Sequence, residues 1–178
     1  MAINQSILKA YANNYRNLSE SVKNASMENF SSTFRRSAFL CHSHTDEVLV
    51  QGLIAMFQSK GINLYVDWKD HTMPASPNAE TAKKIQGKIR KTDMFLFLAT
   101  ANSKASRWCP WEIGYADSSG KTIYILPTTD GHDTYGNEYL ELYPKIDTEQ
   151  YGTIANSRLL KKQPWEYAGT VISTEGLL

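Results

Sequence analysis

Cysteine is scarce in this chain: among 178 residues only Cys41 and Cys109 carry a thiol. Two isolated positions exclude a dense disulfide framework. No basic segment followed by an apolar one opens the sequence as a secretory signal would. No stretch reaches the roughly 18 consecutive apolar residues that a membrane span needs. A reducing cytoplasm with both thiols free is the expected setting, with no membrane partner. Net charge is nearly absent as well, at +1, so composition offers no case for nucleic acid or an anionic membrane. Glycine-rich phosphate loops of the Gly-x-Gly-x-x-Gly or P-loop kind do not occur, which removes a conventional dinucleotide site and an NTPase. Ser43 and His44 are not set in a Gly-x-Ser-x-Gly elbow, so a hydrolase triad has no support.

What is present fits one globular domain with extensions: 42% hydrophobic and 21% charged residues are ordinary for a soluble fold. Four Trp and ten Tyr are a generous aromatic supply for a core or for a pocket that takes flat ligands.

Residues 1–33 read as a helical extension and linker. Ile7, Tyr11, Tyr15, Leu18 and Val22 make one apolar stripe at helical spacing, and the Ser-rich stretch 29–33 follows as the linker. The main domain spans 34–150. Ser37–Cys41 is a short apolar strand. Asp46 and Glu47 sit where the first turn of the next helix would favour acids, and Val50, Leu53, Ile54 and Phe57 give that helix a core-facing side. Gly61 ends it. Ile62–Trp68 is a second strand, and 69–78 a long loop with two prolines. Ala79–Thr92 is helical, with Asn78 as N-cap and Thr81 nearby. Met94–Ala99 is a continuous apolar strand of the kind covered on both faces. A further helix runs through Ala116, and Thr122–Leu126 is a strand ended by Pro127. Residues 139–147 hold a fifth strand or an irregular segment. Residues 151–178 form a C-terminal extension that packs on the domain, with a short helix at 154–162. The order β-α-β-α-β-α-β with long connections predicts an α/β, flavodoxin-like doubly wound parallel sheet with an N-terminal helical extension.

In such a sheet ligands bind beyond the carboxyl ends of the strands, where strand order reverses. That rule gathers Ser43, His44, Asp67, Trp68, Ser103, Trp108 and Glu112 at one mouth. His42 and His44 with Cys41 suggest a metal only weakly, because no carboxylate-rich cluster joins them in sequence, so no metal site is expected. Cys41 reads as an inert core thiol. Glu112 admits two readings. With Cys109 as N-cap and Pro110 at the first helical position, it falls at the third, where a capping box places glutamate. It is also a lone acid between indoles at a strand-to-helix junction, biased toward ionisation by the helix N-terminus. The two readings are compatible. Trp108 likewise divides between a stacking platform and core packing under the loop.

The segments Phe39-Leu-Cys-His-Ser-His44, Gly61 with Leu64-Tyr-Val-Asp67, Phe95-Leu-Phe-Leu-Ala-Thr-Ala-Asn-Ser103 and Ser106-Arg-Trp-Cys-Pro-Trp-Glu112 resemble the TIR (Toll/interleukin-1 receptor) domain. The pattern Trp108-x-x-x-Glu112 is the most specific part. The resemblance runs from about Phe34 to Pro127 and is greatest to stand-alone bacterial TIR proteins of Thoeris-type anti-phage defence. It implies an enzyme that cleaves NAD, as substrate and not as cofactor, with Glu112 as catalytic residue. Phe39, Ser43, His44, Asp67, Trp68, Ser103 and Trp108 are then its substrate-binding residues. It further implies self-association through the loop 69–78, a separate effector protein activated by the nucleotide product, and a phage-derived trigger. The sequence departs from the family after the first strand, where His42-Ser-His44 replaces small or acidic residues, and in its Pro-rich loop. Cleavage of the nicotinamide–ribose bond needs no general acid, because nicotinamide leaves neutral; the pair of carboxylates expected for ordinary glycosides is unnecessary. A catalytically silent TIR scaffold and a deoxyribosyltransferase-like enzyme are the competing readings. The order Ser106-x-Trp-Cys-x-x-Glu112 favours TIR over the latter.

Overall fold

The computed structural model describes residues 2–16, 36–58, 61–70, 78–136 and 142–146. The expected linker 29–33, residues 71–77 of the loop 69–78 and the extension 151–178 lie outside them. The described strands are β1 (Ile3–Asn4), β2 (Arg36–Cys41), β3 (Ile62–Tyr65), β4 (Met94–Ala99), β5 (Thr122–Thr129) and β6 (Thr134–Tyr135). The helices are α1 (Gln5–Arg16), α2 (Glu47–Gln58), α3 (Ala79–Lys91), α4 (Ala101–Ala105) and α5 (Trp108–Ser118). The sheet order is β1-β5-β4-β2-β3, parallel throughout, with β6 antiparallel on β5. The predicted α/β, doubly wound parallel sheet is the one observed. β2 and β4 are neighbours at its centre, and strand order reverses between them.

Two-residue alternation divides the core into the two layers of this sheet. Ala38 and Leu40, Met94, Leu96 and Leu98, and Tyr124 and Leu126 face α1 and α2, where Leu8, Leu53 and Phe57 are buried. Phe39 and Cys41, Phe95 and Phe97, and Ile123 and Ile125 face α3 and α5, where Ile85, Ile89, Cys109 and Ile113 are buried. All six residues of β4 are buried, which is why its sequence runs apolar without alternation. The edge strand β3 alternates instead. It stops at Tyr65, and the chain turns through a short 3₁₀ segment at Asp67–Lys69 where the sequence predicts continued strand to Trp68.

The N-terminal segment belongs to this architecture. Ile3–Asn4 adds a strand alongside Thr128–Thr129, and Gln5 Nε2 donates to Thr128 Oγ1 at 3.0 Å. Leu8 and Ala12 form the buried face of α1, while Ile7 and Tyr11, the start of the predicted stripe, are 43% and 41% exposed. The stripe is displaced by one position because α1 lies unusually close to α2. A Cβ on Gly52 would stand 2.0 Å from the carbonyl oxygen of Leu8, so small Ala12 and compact Leu8 fit the contact where tyrosine does not. Leu18 and Val22 lie outside the described residues.

β5 continues through Pro127, which the sequence suggests as its end. The proline falls between the Lys145 bridge at Ile125 and the pairing of Thr128 with Ile3, a register position that tolerates a missing donor. Lys145 supplies an isolated parallel bridge where a fifth strand or irregular segment is expected. At α3 the expected N-cap is realised as a full capping box: the Thr81 amide donates to Asn78 Oδ1 at 3.0 Å, and the Asn78 amide to Thr81 Oγ1 at 3.1 Å. Among the described residues no helix is long and apolar enough to cross a membrane.

Candidate active site

A cavity of about 330 Å³ opens beyond the carboxyl ends of β2, β3 and β4, at the reversal point where ligands of open parallel sheets bind. Its lining comes from four places: His42, Ser43, His44 and Thr45 after β2; Asp67 after β3; Thr81 and Ile85 of α3; and Asn102, Ala105, Ser106, Trp108 and Glu112 of α4, α5 and the link between them. Of the residues read from sequence, it brings together Ser43, His44, Asp67, Trp108 and Glu112.

Three others stand elsewhere. Phe39 is in the core, stacked between Tyr65 and Phe95 at centroid distances of 5.5 Å to each. Trp68 turns to the opposite layer and packs on the cluster around α2, because the 3₁₀ turn rotates it away from the face that Asp67 presents. Ser103 is buried in the capping box of α4, with its Oγ accepting the Thr100 amide at 2.8 Å.

Glu112 is 5% exposed. It sits in the second turn of α5, not at a capping position. The free amides of Trp108 and Cys109 instead donate to Ser106 Oγ at 3.2 and 3.3 Å. The capping-box reading of Glu112 is thereby corrected: α5 begins one residue before Cys109, and a serine two residues before Trp108 satisfies its end. The expected electrostatics change with it. Burial dominates the helix terminus and pushes the Glu112 carboxyl well above the usual carboxylate range, with a partial offset from the hydrogen bond of the Cys41 thiol. Burial also raises Cys41 itself, as expected for an inert core thiol.

The walls are held by groups that sequence reasoning passed over. Asp46, expected in the first turn of α2, is instead buried in the 3₁₀ turn His44–Asp46 that precedes the helix. It accepts from Thr100 Oγ1 and from Asn102 Nδ2, each at 2.6 Å. These bonds tie the loop after β2 to the loop after β4. The contact spans 54 residues, so only the topology could have announced it. The missed lining residues Asn102 and Ser106 both fall within the TIR-like segments quoted above, which was the available signal.

His42, Asp67 and His44 form a further group. Asp67 lies 3.6 Å from each imidazole, Oδ1 to His42 Nε2 and Oδ2 to His44 Nε2. The sequence reading gathers Asp67 with His44 at one mouth; the structure adds that this single carboxylate, just past the end of β3, stands between His44 and the buried His42. Burial lowers the His42 pKa, opposed by the charge of Asp67.

The sequence profile described as the TIR domain matches residues 38–155. The chain belongs to the TIR domain family. A protein of Bacillus cereus (strain MSX-D12) named "Probable 3′ cyclic ADP-D-ribose synthase ThsB′" is 32% identical over 158 residues, which is 86% of this chain and 80% of that one. A Cytobacillus dafuensis protein named "Putative cyclic ADP-D-ribose synthase TIR2" is 26% identical over 95 residues, 52% of this chain and a quarter of its own length. Among solved structures, the Clostridium botulinum CMP N-glycosidase BcmB superposes with a TM-score of 0.44 at 19% identity, over 68% of this chain and all of that one. In this TIR domain, the Trp108-x-x-x-Glu112 pattern places both named residues on the wall of the cavity.

Proposed function

We propose that this TIR domain cleaves the nicotinamide–ribose bond of NAD and closes the ADP-ribose product into a cyclic signal for bacterial anti-phage defence. The observation that carries the reading is Glu112: a single buried carboxylate lining a cavity at the reversal point of the sheet. The two relatives named as cyclic ADP-D-ribose synthases support the substrate and the product class.

The chemistry suits one acid. When the C–N bond breaks, its electron pair goes to the pyridinium nitrogen, and nicotinamide leaves neutral without a proton. The ribose is left as an oxocarbenium-like cation. Glu112 supports that charge or holds the ribose hydroxyls whose bonds strengthen as it forms. In the folded chain burial favours the protonated acid. A cationic nicotinamide ring nearby pulls the equilibrium back toward the carboxylate, so binding prepares the group that the reaction needs. Trp108, half-buried at the wall, offers a face for a flat ring. Ser43, His44 and Asp67 offer polar contacts to ribose or diphosphate. No resident cofactor is needed for bond cleavage.

Water at the cation would give ADP-ribose; an internal nucleophile gives the cyclic isomer. Cyclisation requires water to be kept from the cation, and self-association of the chain is the means of exclusion that the family resemblance suggests. The signal acts on a separate effector protein in the cytoplasm, and a phage component triggers its production.

The test is to incubate the full chain with NAD, with and without a lysate of phage-infected cells, and to resolve products by chromatography and mass spectrometry beside Glu112→Gln. We expect nicotinamide and a cyclic ADP-ribose species from the parent. The variant should lose at least about a hundredfold in rate, as when a group that stabilises transition-state charge is removed. Equal turnover by the variant overturns the role of Glu112. Inactivity of both proteins under all conditions favours the scaffold reading.

A further inference from the structure

His42 is set apart from the other polar residues of the cavity by a bonding deficit. Its Nδ1 lies 3.0 Å from the carbonyl oxygen of Leu40. A carbonyl can only accept, so Nδ1 carries the proton and donates. In the neutral ring Nε2 is then a bare lone pair. It is buried and has no hydrogen-bond partner, and the group it faces at 3.6 Å is the Asp67 carboxylate, which also only accepts. Two acceptors aimed at one another inside a protein are unfavourable unless something between them satisfies both. The same carboxylate faces the Nε2 of His44, again at 3.6 Å.

We propose that His42, His44 and Asp67 form a binding site for a divalent transition-metal cation, zinc being the best match, at the mouth of the cavity. The three donor atoms all lie within 4.8 Å of one another. A tetrahedral zinc with bonds of roughly 2.0–2.1 Å separates its ligand atoms by roughly 3.3–3.4 Å. The two histidine–aspartate separations of 3.6 Å are already close to that, and His44, with a side chain 70% exposed, is free to complete the set. Two imidazoles and a carboxylate are a donor set that suits zinc, whereas magnesium and calcium prefer oxygen ligands throughout.

The surroundings of the ligands are those a metal site requires. The Leu40 carbonyl fixes the tautomer of His42 that leaves Nε2 available. Asp67 Oδ1 accepts the Trp68 amide at 2.8 Å, which holds the carboxylate in place. The indole of Trp68 packs edge-on to the His42 ring at 6.5 Å and fixes its plane. Three protein ligands leave a fourth position open. The cavity lies on that side, since all three residues line it, so an oxygen of a bound ligand can occupy the position. The cation is not required for C–N cleavage, and the site stands whether or not the chain turns over NAD.

The experiment titrates the full chain, free of NAD, with Zn²⁺ against a fluorescent competing chelator, and with Co²⁺ followed by visible absorption. We expect one saturable equivalent, the intense absorption bands of four-coordinate cobalt, and a rise in Tm on zinc addition. His44→Ala removes an exposed ligand and should leave the fold intact while weakening zinc at least tenfold; Asp67→Asn should do the same. Cys41→Ser and Cys109→Ser should bind as the parent does. The proposal is overturned if no saturable binding occurs at micromolar zinc, if His44→Ala binds as tightly as the parent, or if a cysteine variant abolishes binding.

Discussion

The hydroxyl of Thr100 donates to the carboxylate of Asp46 at 2.6 Å and joins the ends of β2 and β4, the two strands between which the sheet reverses. Asn102 donates to the other oxygen of the same carboxylate, also at 2.6 Å. Asp46 therefore fixes the width of the candidate site without belonging to its lining. Asp46→Ala leaves the Thr100 hydroxyl without its acceptor inside the protein and frees Asn102. We expect a loss of about 2–4 kcal/mol in stability, one buried charged acceptor serving two donors. NAD turnover should fall more than stability alone explains, because Asn102, Ser106 and Trp108 lose their anchorage to the opposite wall. Urea unfolding and turnover measured at a temperature where the variant is fully folded separate the two effects. Full activity in a folded variant would contradict this account.

Ser106 accepts the first two amides of α5 and so leaves Glu112 uncommitted to the helix end. Ser106→Ala should cost about 1 kcal/mol, as loss of a helix cap does, and Ser106→Asp should recover it because aspartate is as good a cap. If Glu112 were the cap, the serine variant would be neutral and Glu112→Ala would carry the loss. Thermal unfolding of the three variants at one pH decides between the assignments.

Much of this was legible before any coordinates. The apolar runs of β2, β4 and β5 are unambiguous because burial on both faces leaves no polar positions to blur them. The long connections call for crossovers and hence a parallel, doubly wound sheet, and the flavodoxin-like order expected for it puts the reversal between its first and third strands. With that order, Ser43, Asp67, Trp108 and Glu112 had to lie close together. What failed depended on single-residue phase or on distant partners. The stripe through Ile7 and Tyr11 has helical spacing, but the buried face of α1 is set by backbone approach to Gly52, which no local pattern records. Trp68 reads as strand because its neighbours are β-formers, yet β3 ends at Tyr65 and the turn sends the indole to the other layer. The place of buried His42 beside Asp67 and the bond from Thr100 to Asp46 depend on pairings between strands, and residue spacing carries no trace of them.

Among the described glycines, Gly52 is the one where an added methyl group meets backbone at the shortest distance. The Cβ of an alanine would stand 2.0 Å from the Leu8 carbonyl oxygen and 2.7 Å from its carbon. Both atoms are backbone of a helix and cannot swing aside. Gly52→Ala gains helix propensity worth up to about 1 kcal/mol, but the overlap forces α1 from α2 and costs more. A net loss of about 1–3 kcal/mol is expected, with Tm lower by several degrees. Gly87→Ala is the control, since a Cβ there meets nothing within 4 Å; it should be neutral or stabilising. A Gly52→Ala protein as stable as the parent would mean that α1 does not pack as described.

The buried Glu112 makes a pH-dependent demand on the fold whose sign is opposite to that of a salt-bridged acid. Its pKa in the folded chain is raised well above 4.5 by burial. Between 4.5 and that raised value the folded chain holds a proton that the unfolded chain has released. Stability therefore falls as pH climbs through the window, by at most about 1.4 kcal/mol per pH unit. Below 4.5 both states are protonated and Glu112 contributes no slope. Glutamine has nearly the same shape and cannot ionise, so Glu112→Gln should match the parent near pH 4 and become progressively the more stable of the two as pH rises. The parent keeps the glutamate at that cost, as expected of a residue retained for its chemistry. Denaturant unfolding of both proteins at half-unit steps from pH 4 to pH 8 reads the difference directly. A gap that stays constant across the range, or that closes as pH rises, would show that Glu112 is not held protonated by burial.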